Sequence, residues 1–202
     1  MDPDDQEDDP LDDAWDLIEA GDWAGARDLL EEIVAEDRRD ADAWHWLAIC
    51  RERLGDAPGA LAADQRAYRL DRKEFPMPVR LDEAEWDRVV TEALAELPLP
   101  FRAALENVTI QRHEFPDEST LEGLGDEADP MLLGLFEGIP LPQRTTGTLP
   151  RLPGRLLLFR RNLERSAADR DSLREEIRIT VFHEIGHALG YEEDDLEALG
   201  IG

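Results

Sequence analysis

The stretch Thr180-Val-Phe-His-Glu-Ile-Gly-His-Ala-Leu-Gly190 contains the pattern HExxH, formed by His183, Glu184 and His187. Histidines four residues apart lie one turn above each other on an α-helix, so their imidazole nitrogens can bind one zinc ion together. Glu184 follows the first histidine, where its carboxylate can act as general base toward a water molecule at the metal. The pattern therefore predicts a helix that carries a zinc site with hydrolytic chemistry.

The residues around the motif have the period of an amphipathic helix. One predicted face carries the apolar residues Ile177, Val181, Phe182, Ile185, Ala188 and Leu189. The opposite face carries Glu176, Thr180, His183 and His187. Asp171 and Ser172 are suitable N-terminal caps, and Gly190 is suited to end the helix in a left-handed turn. We therefore expect the apolar face to pack on a core and the histidines to face a cleft.

Two further segments accompany the motif, namely Arg155-Leu-Leu-Leu-Phe-Arg-Arg-Asn-Leu-Glu-Arg165 and Leu133-Gly-Leu-Phe-Glu-Gly-Ile-Pro-Leu141. Together with residues 173–190 they resemble the small bacterial zincin-like metallopeptidases, also called minimal metalloproteases. The resemblance extends from about Phe75 to Gly202. It implies a compact zincin core, a zinc site on the HExxH helix and peptidase activity.

The resemblance also implies a third ligand to the metal, three residues after Gly190, and that position is Glu193. Family members usually have an aspartate there. The register after a glycine turn is not fixed by sequence, so several alternatives stay open. These are Asp194, Glu192, Asp195, another residue, or a site with only the two histidines. We expect His183, His187 and Glu193 to hold one Zn²⁺ per chain.

Residues 14–71 show internal similarity at an offset of 34 residues, which is the period of tetratricopeptide repeats. The matching pairs are Ala14 and Ala48, Gly21 and Gly55, Asp22 and Asp56, and Ala26 and Ala60. Each copy reads as two antiparallel helices joined by a Gly-Asp turn. Because an independent array usually needs three repeats, we expect this module to pack on the C-terminal part or to self-associate. Its concave face could bind a peptide, although a helical cap or a dimerisation element fits the pattern equally well.

Composition suggests three parts of the chain. Residues 1–13 carry eight acids and no base, which is typical of a disordered acidic tail. Residues 14–73 form the predicted tetratricopeptide-like module, and residues 75–202 form the predicted zincin-like domain. Phe75-Pro-Met-Pro78 is the expected linker, because its prolines exclude a continuous helix. The predicted fold class is α+β, with the HExxH helix packed on a short mixed sheet and preceded by an all-α tetratricopeptide-like helical hairpin module.

Periodicity predicts further elements in the C-terminal part. A helix is expected over Trp86–Leu97, ended by Pro98, and strands over 107–112 and 155–161. Residues 114–130 read as an acidic, glycine-containing loop. If the strand over 155–161 lay at a sheet edge, it could hold an extended peptide by main-chain hydrogen bonds.

The net charge of −27 argues against nucleic-acid binding, which needs a basic surface. No apolar run approaches the length that spans a bilayer, and the acidic start does not resemble a secretory signal. A single cysteine, Cys50, excludes an intrachain disulfide, so we expect a cytoplasmic location. Cys50 is expected in a core, and a metal role for His113 is not favoured. The tryptophans expected in core and rim packing are Trp15, Trp23, Trp44 and Trp46.

These patterns favour a zinc-dependent peptidase in which Glu184 is the general base. The predicted partners are a peptide or protein substrate and a protein bound by the helical module, without nucleic acid or membrane. The alternative is a non-catalytic metal-binding protein that acts in interaction or regulation through that module. A third hypothesis is a regulator that cleaves one specific partner.

Overall fold

The computed structural model describes residues 10–125, 128–138, 154–191 and 196. Its helices in this part are α1 (Pro10–Glu19), α2 (Trp23–Glu36), α3 (Ala41–Arg53), α4 (Ala57–Leu70), α5 (Glu83–Glu96), α6 (Leu99–Ala104), α7 (Glu118–Leu124), α8 (Arg160–Ser166) and α9 (Arg170–Leu189). Its strands are β1 (Val108–His113), β2 (Gly134–Gly138) and β3 (Gly154–Phe159), and a 3-10 turn at Leu105–Asn107 leads into β1. The described residues divide into a helical unit, 10–77 with 117–130, and a mixed unit, 78–116 with those from 131 onward.

The helical unit contains two helix hairpins whose turns have the same construction. The corresponding residues are Gly21 and Gly55, Asp22 and Asp56, and Gly25 and Gly59. The first glycine of each turn has a φ of 75° or 83°, which favours glycine. The aspartate caps the next helix by accepting a hydrogen bond from the backbone N–H of the second glycine, at 2.9 or 3.0 Å. A Cβ on that second glycine would lie only 2.4 or 1.9 Å from the aspartate side chain, so both residues of the cap are constrained.

Small and branched side chains fill the core between these hairpins, as the repeat pattern predicts. The fully or nearly fully buried residues include Ala14, Ile18, Ala26, Leu30, Ala43, Leu47, Ala48 and Cys50. Cys50 is therefore a core residue, as expected. All four tryptophans of the unit pack at the edge of this core, which confirms their predicted packing role.

Two boundaries of the helical unit differ from the expectation. Residues 10–13, expected in an acidic tail, form the first turn of α1, whereas residues 1–9 lie outside the described part. Residues 117–130, expected as a loop of the C-terminal domain, cluster with the helical unit and contain α7. Asp117 caps this helix by accepting a hydrogen bond from the backbone N–H of Thr120 at 2.8 Å. The boundary between Met77 and Pro78 lies within the predicted linker.

The mixed unit contains a three-stranded sheet with the order β1-β3-β2 among the described strands. β1 pairs with β3 in parallel, with Val108 opposite Gly154, and β2 pairs with β3 antiparallel, with Leu135 opposite Leu157. The predicted strand over 155–161 is shorter, because Arg160 begins α8. Its predicted place at an edge is wrong, since β3 is the central strand and is buried along Leu156–Phe159.

Helices α5 and α9 pack together and, with the sheet, enclose the core of the mixed unit. Trp86 of α5 is 1% exposed, and Phe101 of α6 stacks on Phe182 of α9 with ring centroids 3.9 Å apart. The end of α5 at Glu96, before Leu97 and Pro98, agrees with the predicted helix. In the described part of the chain, no helix is both long enough and apolar enough to cross a bilayer.

Candidate active site

Helix α9 carries the HExxH motif and has a defined cap at each end. Its N-cap is Asp169, one turn earlier than the predicted caps Asp171 and Ser172. The carboxylate of Asp169 accepts a hydrogen bond from the backbone N–H of Ser172 at 2.8 Å, and the Ser172 hydroxyl accepts one from the Asp169 N–H at 2.9 Å. The hydrogen bond from the Ser172 N–H, and a second from the Ser172 hydroxyl to the same carboxylate at 2.9 Å, lower the pKa of Asp169. At the other end, Gly190 has a φ of 88° and stops the helix in a left-handed turn, as predicted.

The predicted apolar face of α9 is in the core. Ile177, Val181, Phe182, Ile185 and Ala188 are buried, and Leu189 is half-buried. Thr180 was placed on the face toward the cleft, but it is 8% exposed. The reason lies in Gly134 of β2, whose Cβ position would be 2.6 Å from the Thr180 methyl carbon. The absence of a side chain at Gly134 thus lets β2 lie directly on α9.

His183 and His187 bring their rings together on the accessible side of α9. Their Nε2 atoms are 3.0 Å apart, and the ring planes are nearly perpendicular. The Nδ1 atom of His187 lies 3.2 Å from the backbone carbonyl oxygen of Tyr191, to which its N–H donates. That hydrogen bond selects the tautomer whose Nε2 carries a lone pair instead of a proton, as in histidines that bind metals.

This geometry fits a shared divalent metal ion. Two nitrogens 3.0 Å apart can both lie about 2.1 Å from one ion, the usual zinc to nitrogen distance. Among the described residues, no group of three or more His, Cys, Asp or Glu side chains is placed to hold a metal. Glu193 and Asp194, the two main candidates for a third ligand, lie outside the described residues. His113 lies at the end of β1 with its ring edge-on to Phe159.

The carboxylate of Glu184 points toward β2. Its Oε2 accepts a hydrogen bond from the backbone N–H of Phe136 at 2.9 Å. A main-chain donor on a strand is held by the strand's own pairing, so it fixes the carboxylate more firmly than a mobile side chain would. The carboxylate is half-buried, and it lies between the histidine face of α9 and the strand.

β2 lies at an edge of the described sheet, and its free backbone groups face away from β3. The backbone N–H of Phe159 donates to the carbonyl of Leu133, so odd-numbered residues of this segment pair with β3. In an antiparallel ladder the alternate residues point outward. The outward residues are Gly134, Phe136 and Gly138. No sequence pattern used above predicted this strand, although the glycines at its two ends, Gly134 and Gly138, are a signal of a short edge strand close to other backbone.

The chain beyond α9 returns to the helix at Gly186. The backbone N–H of Tyr191 donates to the Gly186 carbonyl at 3.0 Å. Leu196 is 0% exposed, and a Cβ on Gly186 would lie 2.5 Å from its Cδ2 atom. Gly186, between the two histidines of the motif, therefore makes room for Leu196.

Comparison with protein families agrees with the two units of the structure. Residues 105–202 match the family model described as zincin-like metallopeptidase, and residues 11–74 match the one described as tetratricopeptide repeat. A comparison with curated proteins gave no match. The resemblance stated from the sequence is thereby confirmed, as is the α+β fold with a helical repeat module before the zincin-like part.

Proposed function

We propose that this chain is a zinc-dependent peptidase in which His183 and His187 bind the metal and Glu184 is the general base. The observation that carries the proposal is the 3.0 Å separation of the two Nε2 atoms, with Glu184 on the same helix. The match of residues 105–202 to zincin-like metallopeptidases supports the same chemistry.

Each motif residue has a defined task in the proposed reaction. Zinc, when bound, would polarise the scissile carbonyl and lower the pKa of water at the site. The carboxylate of Glu184 accepts the proton that this water loses and returns it to the leaving amine. The hydrogen bond from Phe136 orients the carboxylate, while that to the Tyr191 carbonyl keeps the Nε2 lone pair of His187 available.

A carboxylate that follows Gly190 completes the proposed ligand set. Tyr191 and Leu196 both contact Gly186 of the motif helix, and four residues separate them in the sequence. Glu193 and Asp194 belong to those four residues. We assign the third ligand to Glu193, with Asp194 as the alternative. Three protein ligands leave an open position for water, as catalytic zinc sites do.

The free edge of β2 is the proposed binding surface for the substrate main chain. Gly134 and Gly138 direct their backbone N–H and C=O groups outward, as Phe136 does its C=O, and an extended peptide can add there as a further strand. Because the N–H of Phe136 contacts Glu184, a peptide held there lies beside the general base. The sequence suggested the strand over 155–161 for this role, but β3 is the central strand of the described sheet. We therefore assign the role to β2.

The decisive experiment measures zinc per chain and the hydrolysis of an unstructured peptide library by the purified full-length protein. The variants are Glu184→Gln, His183→Ala, His187→Ala, Glu193→Ala and Asp194→Ala. We expect one zinc in the wild type and in Glu184→Gln. Of these two proteins, only the wild type should hydrolyse peptides. Both histidine variants should lose the metal, and Glu193→Ala should lose it while Asp194→Ala keeps it.

Two results would contradict the proposal. Hydrolysis that persists in Glu184→Gln would exclude this carboxylate as the base. A wild-type protein that holds zinc but cleaves no peptide in the library would favour the non-catalytic interaction protein.

A further inference from the structure

A groove in the helical unit has a charge opposite to that of the chain. It has a volume of about 610 Å³ and lies between α2 and α4, over α3. We name it the arginine groove, and its charged and aromatic lining residues are Glu31, Arg38, Trp44, Arg51, Arg66 and Arg69. The remainder of the lining is apolar.

The concentration of positive charge in the arginine groove is unusual for this sequence. The chain has a net charge of −27, and residues 10–77 contain only nine lysines and arginines. Four of these nine line the groove, against a single carboxylate, Glu31. Glu31 is already paired with Arg51 at 2.9 Å. The net charge at the groove is therefore positive within an acidic protein.

Hydrogen bonds hold the floor of the arginine groove in place. Arg51 donates to the carbonyl of Gly59 at 3.2 Å as well as to Glu31. The carbonyl of Arg38 accepts hydrogen bonds from Arg66 at 2.8 Å and from the indole N–H of Trp44 at 3.2 Å. Two guanidinium groups and an indole ring are thus positioned before any ligand arrives, which lowers the entropic cost of binding.

Three of the guanidinium groups have no anionic partner among the described residues. Within the part of the chain that the structure describes, Arg38, Arg66 and Arg69 form no ion pair with a carboxylate. Cations that line one groove repel each other, and an anion bound in the groove would reduce that repulsion while accepting bidentate hydrogen bonds. We propose that the arginine groove binds an acidic peptide segment of a partner protein.

The lining also specifies what lies between the acids of that segment. Val34, Ala35 and Ala62 form an apolar surface between the arginines. A ligand with an apolar residue flanked by acidic residues matches this arrangement. A nucleic acid matches poorly, because a long polyanion would extend past the groove onto an acidic surface. The positive charge of the groove is screened by salt beyond roughly 10 Å, so it would not offset the repulsion there. This inference does not depend on the proposed peptidase activity.

The test uses a fluorescently labelled nine-residue peptide with a leucine between acidic residues, and the same peptide with glutamines in place of the acids. Binding to the full-length protein is measured by fluorescence anisotropy. The groove variant is Arg38→Glu/Arg69→Glu, because both residues are exposed. The matched control is Arg39→Glu/Arg72→Glu, which makes the same charge change at exposed positions outside the groove.

We expect the acidic peptide to bind, the glutamine peptide not to bind, and the groove variant to weaken binding by about tenfold or more. The control variant should weaken it much less. Equal losses in both double variants would show general charge attraction and overturn the proposal, as would tighter binding of an oligonucleotide of the same charge. Peptide binding that appears only after removal of residues 1–9, which carry six acids, would assign the groove to the chain's own segment instead of a partner.

Discussion

The backbone N–H of Phe136 donates a 2.9 Å hydrogen bond to the carboxylate of Glu184, 48 residues away in the chain. This contact joins the edge strand β2 to the motif helix at the group that we assign as the base. The strand and the helix also pack directly, with the Thr180 side chain against the backbone at Gly134. Changes on either side of this junction should therefore separate metal binding from catalysis.

Replacing Phe136 with proline should lower kcat/KM by about tenfold or more while zinc content stays the same. Proline removes the N–H that orients Glu184, and hydrogen bonds to charged groups contribute enough for such a change. An edge strand tolerates proline where its N–H faces away from the sheet. Phe136→Ala is the control, because it loses the same ring and keeps the N–H. If both variants lose activity equally, the ring and not the N–H is responsible.

Gly134→Ala should destabilise the protein by about 1 to 3 kcal/mol, the usual cost of overpacking. The added methyl group would lie 2.6 Å from the Thr180 methyl carbon, so β2 and α9 would have to separate. The second variant, Gly134→Ala/Thr180→Ser, removes the opposing methyl and should recover part of the loss. Denaturant unfolding of the two variants and of Thr180→Ser alone gives the coupling energy. A coupling near zero would show that these residues are not in contact.

Gly186→Ala should reduce zinc affinity and should not stabilise the protein despite the better helix propensity of alanine. Alanine is a better helix residue by about 1 kcal/mol, yet its methyl would lie 2.5 Å from Leu196 and move that side chain. Glu193 is three residues before Leu196 in the sequence, so we expect this displacement to disturb the ligand that we assign there. Gly186→Ala/Leu196→Ala makes room again and should recover affinity. Unchanged zinc affinity in the single variant would separate Leu196 from the metal site.

Asp169→Ala should lower the thermal midpoint at neutral pH, and the difference from the wild type should shrink in acid. The contacts of Ser172 lower the pKa of Asp169, so its stabilising effect is present above the usual carboxyl pKa. The effect is lost as the pH falls through the lowered pKa. Asp169→Asn can still accept the capping hydrogen bond and should show a smaller, pH-independent difference. A difference for Asp169→Ala that is constant from pH 7 to pH 3 would contradict this assignment.

The sequence predicted the elements whose order is encoded locally. Helix α9 has an apolar period over several turns, and it ends at Gly190 in a left-handed turn that favours glycine. The prediction of this helix and of its C-terminal end was therefore correct. The repeat offset of 34 residues predicted both hairpins, because each hairpin is encoded by a continuous stretch of sequence. The N-terminal end of α9 was misplaced because Asp169, Asp171 and Ser172 are all capping residues, and only the folded chain chooses among them.

The junction between β2 and α9 could not be predicted. β2 is five residues long and lacks alternation of apolar and polar residues, so its sequence carries little signal of a strand. Its position depends on its pairing with β3 and on the fit of Gly134 to Thr180. The hydrogen bond between Phe136 and Glu184 arises from the same tertiary arrangement. The motif thus indicated the residues to which we assign the chemistry, whereas the strand beside them was visible only in the folded structure.

The exposed edge of β2 bears on whether a target protein must be unfolded before it could be cleaved. A chain that pairs with the outward backbone groups of Gly134 and Gly138 must expose an extended main chain, so segments in helices or intact sheets cannot bind there. Local unfolding of the target would then set the rate, and the same sequence would be resistant when native and susceptible when damaged. Such a site would discriminate between folded and unfolded targets more than between amino-acid sequences.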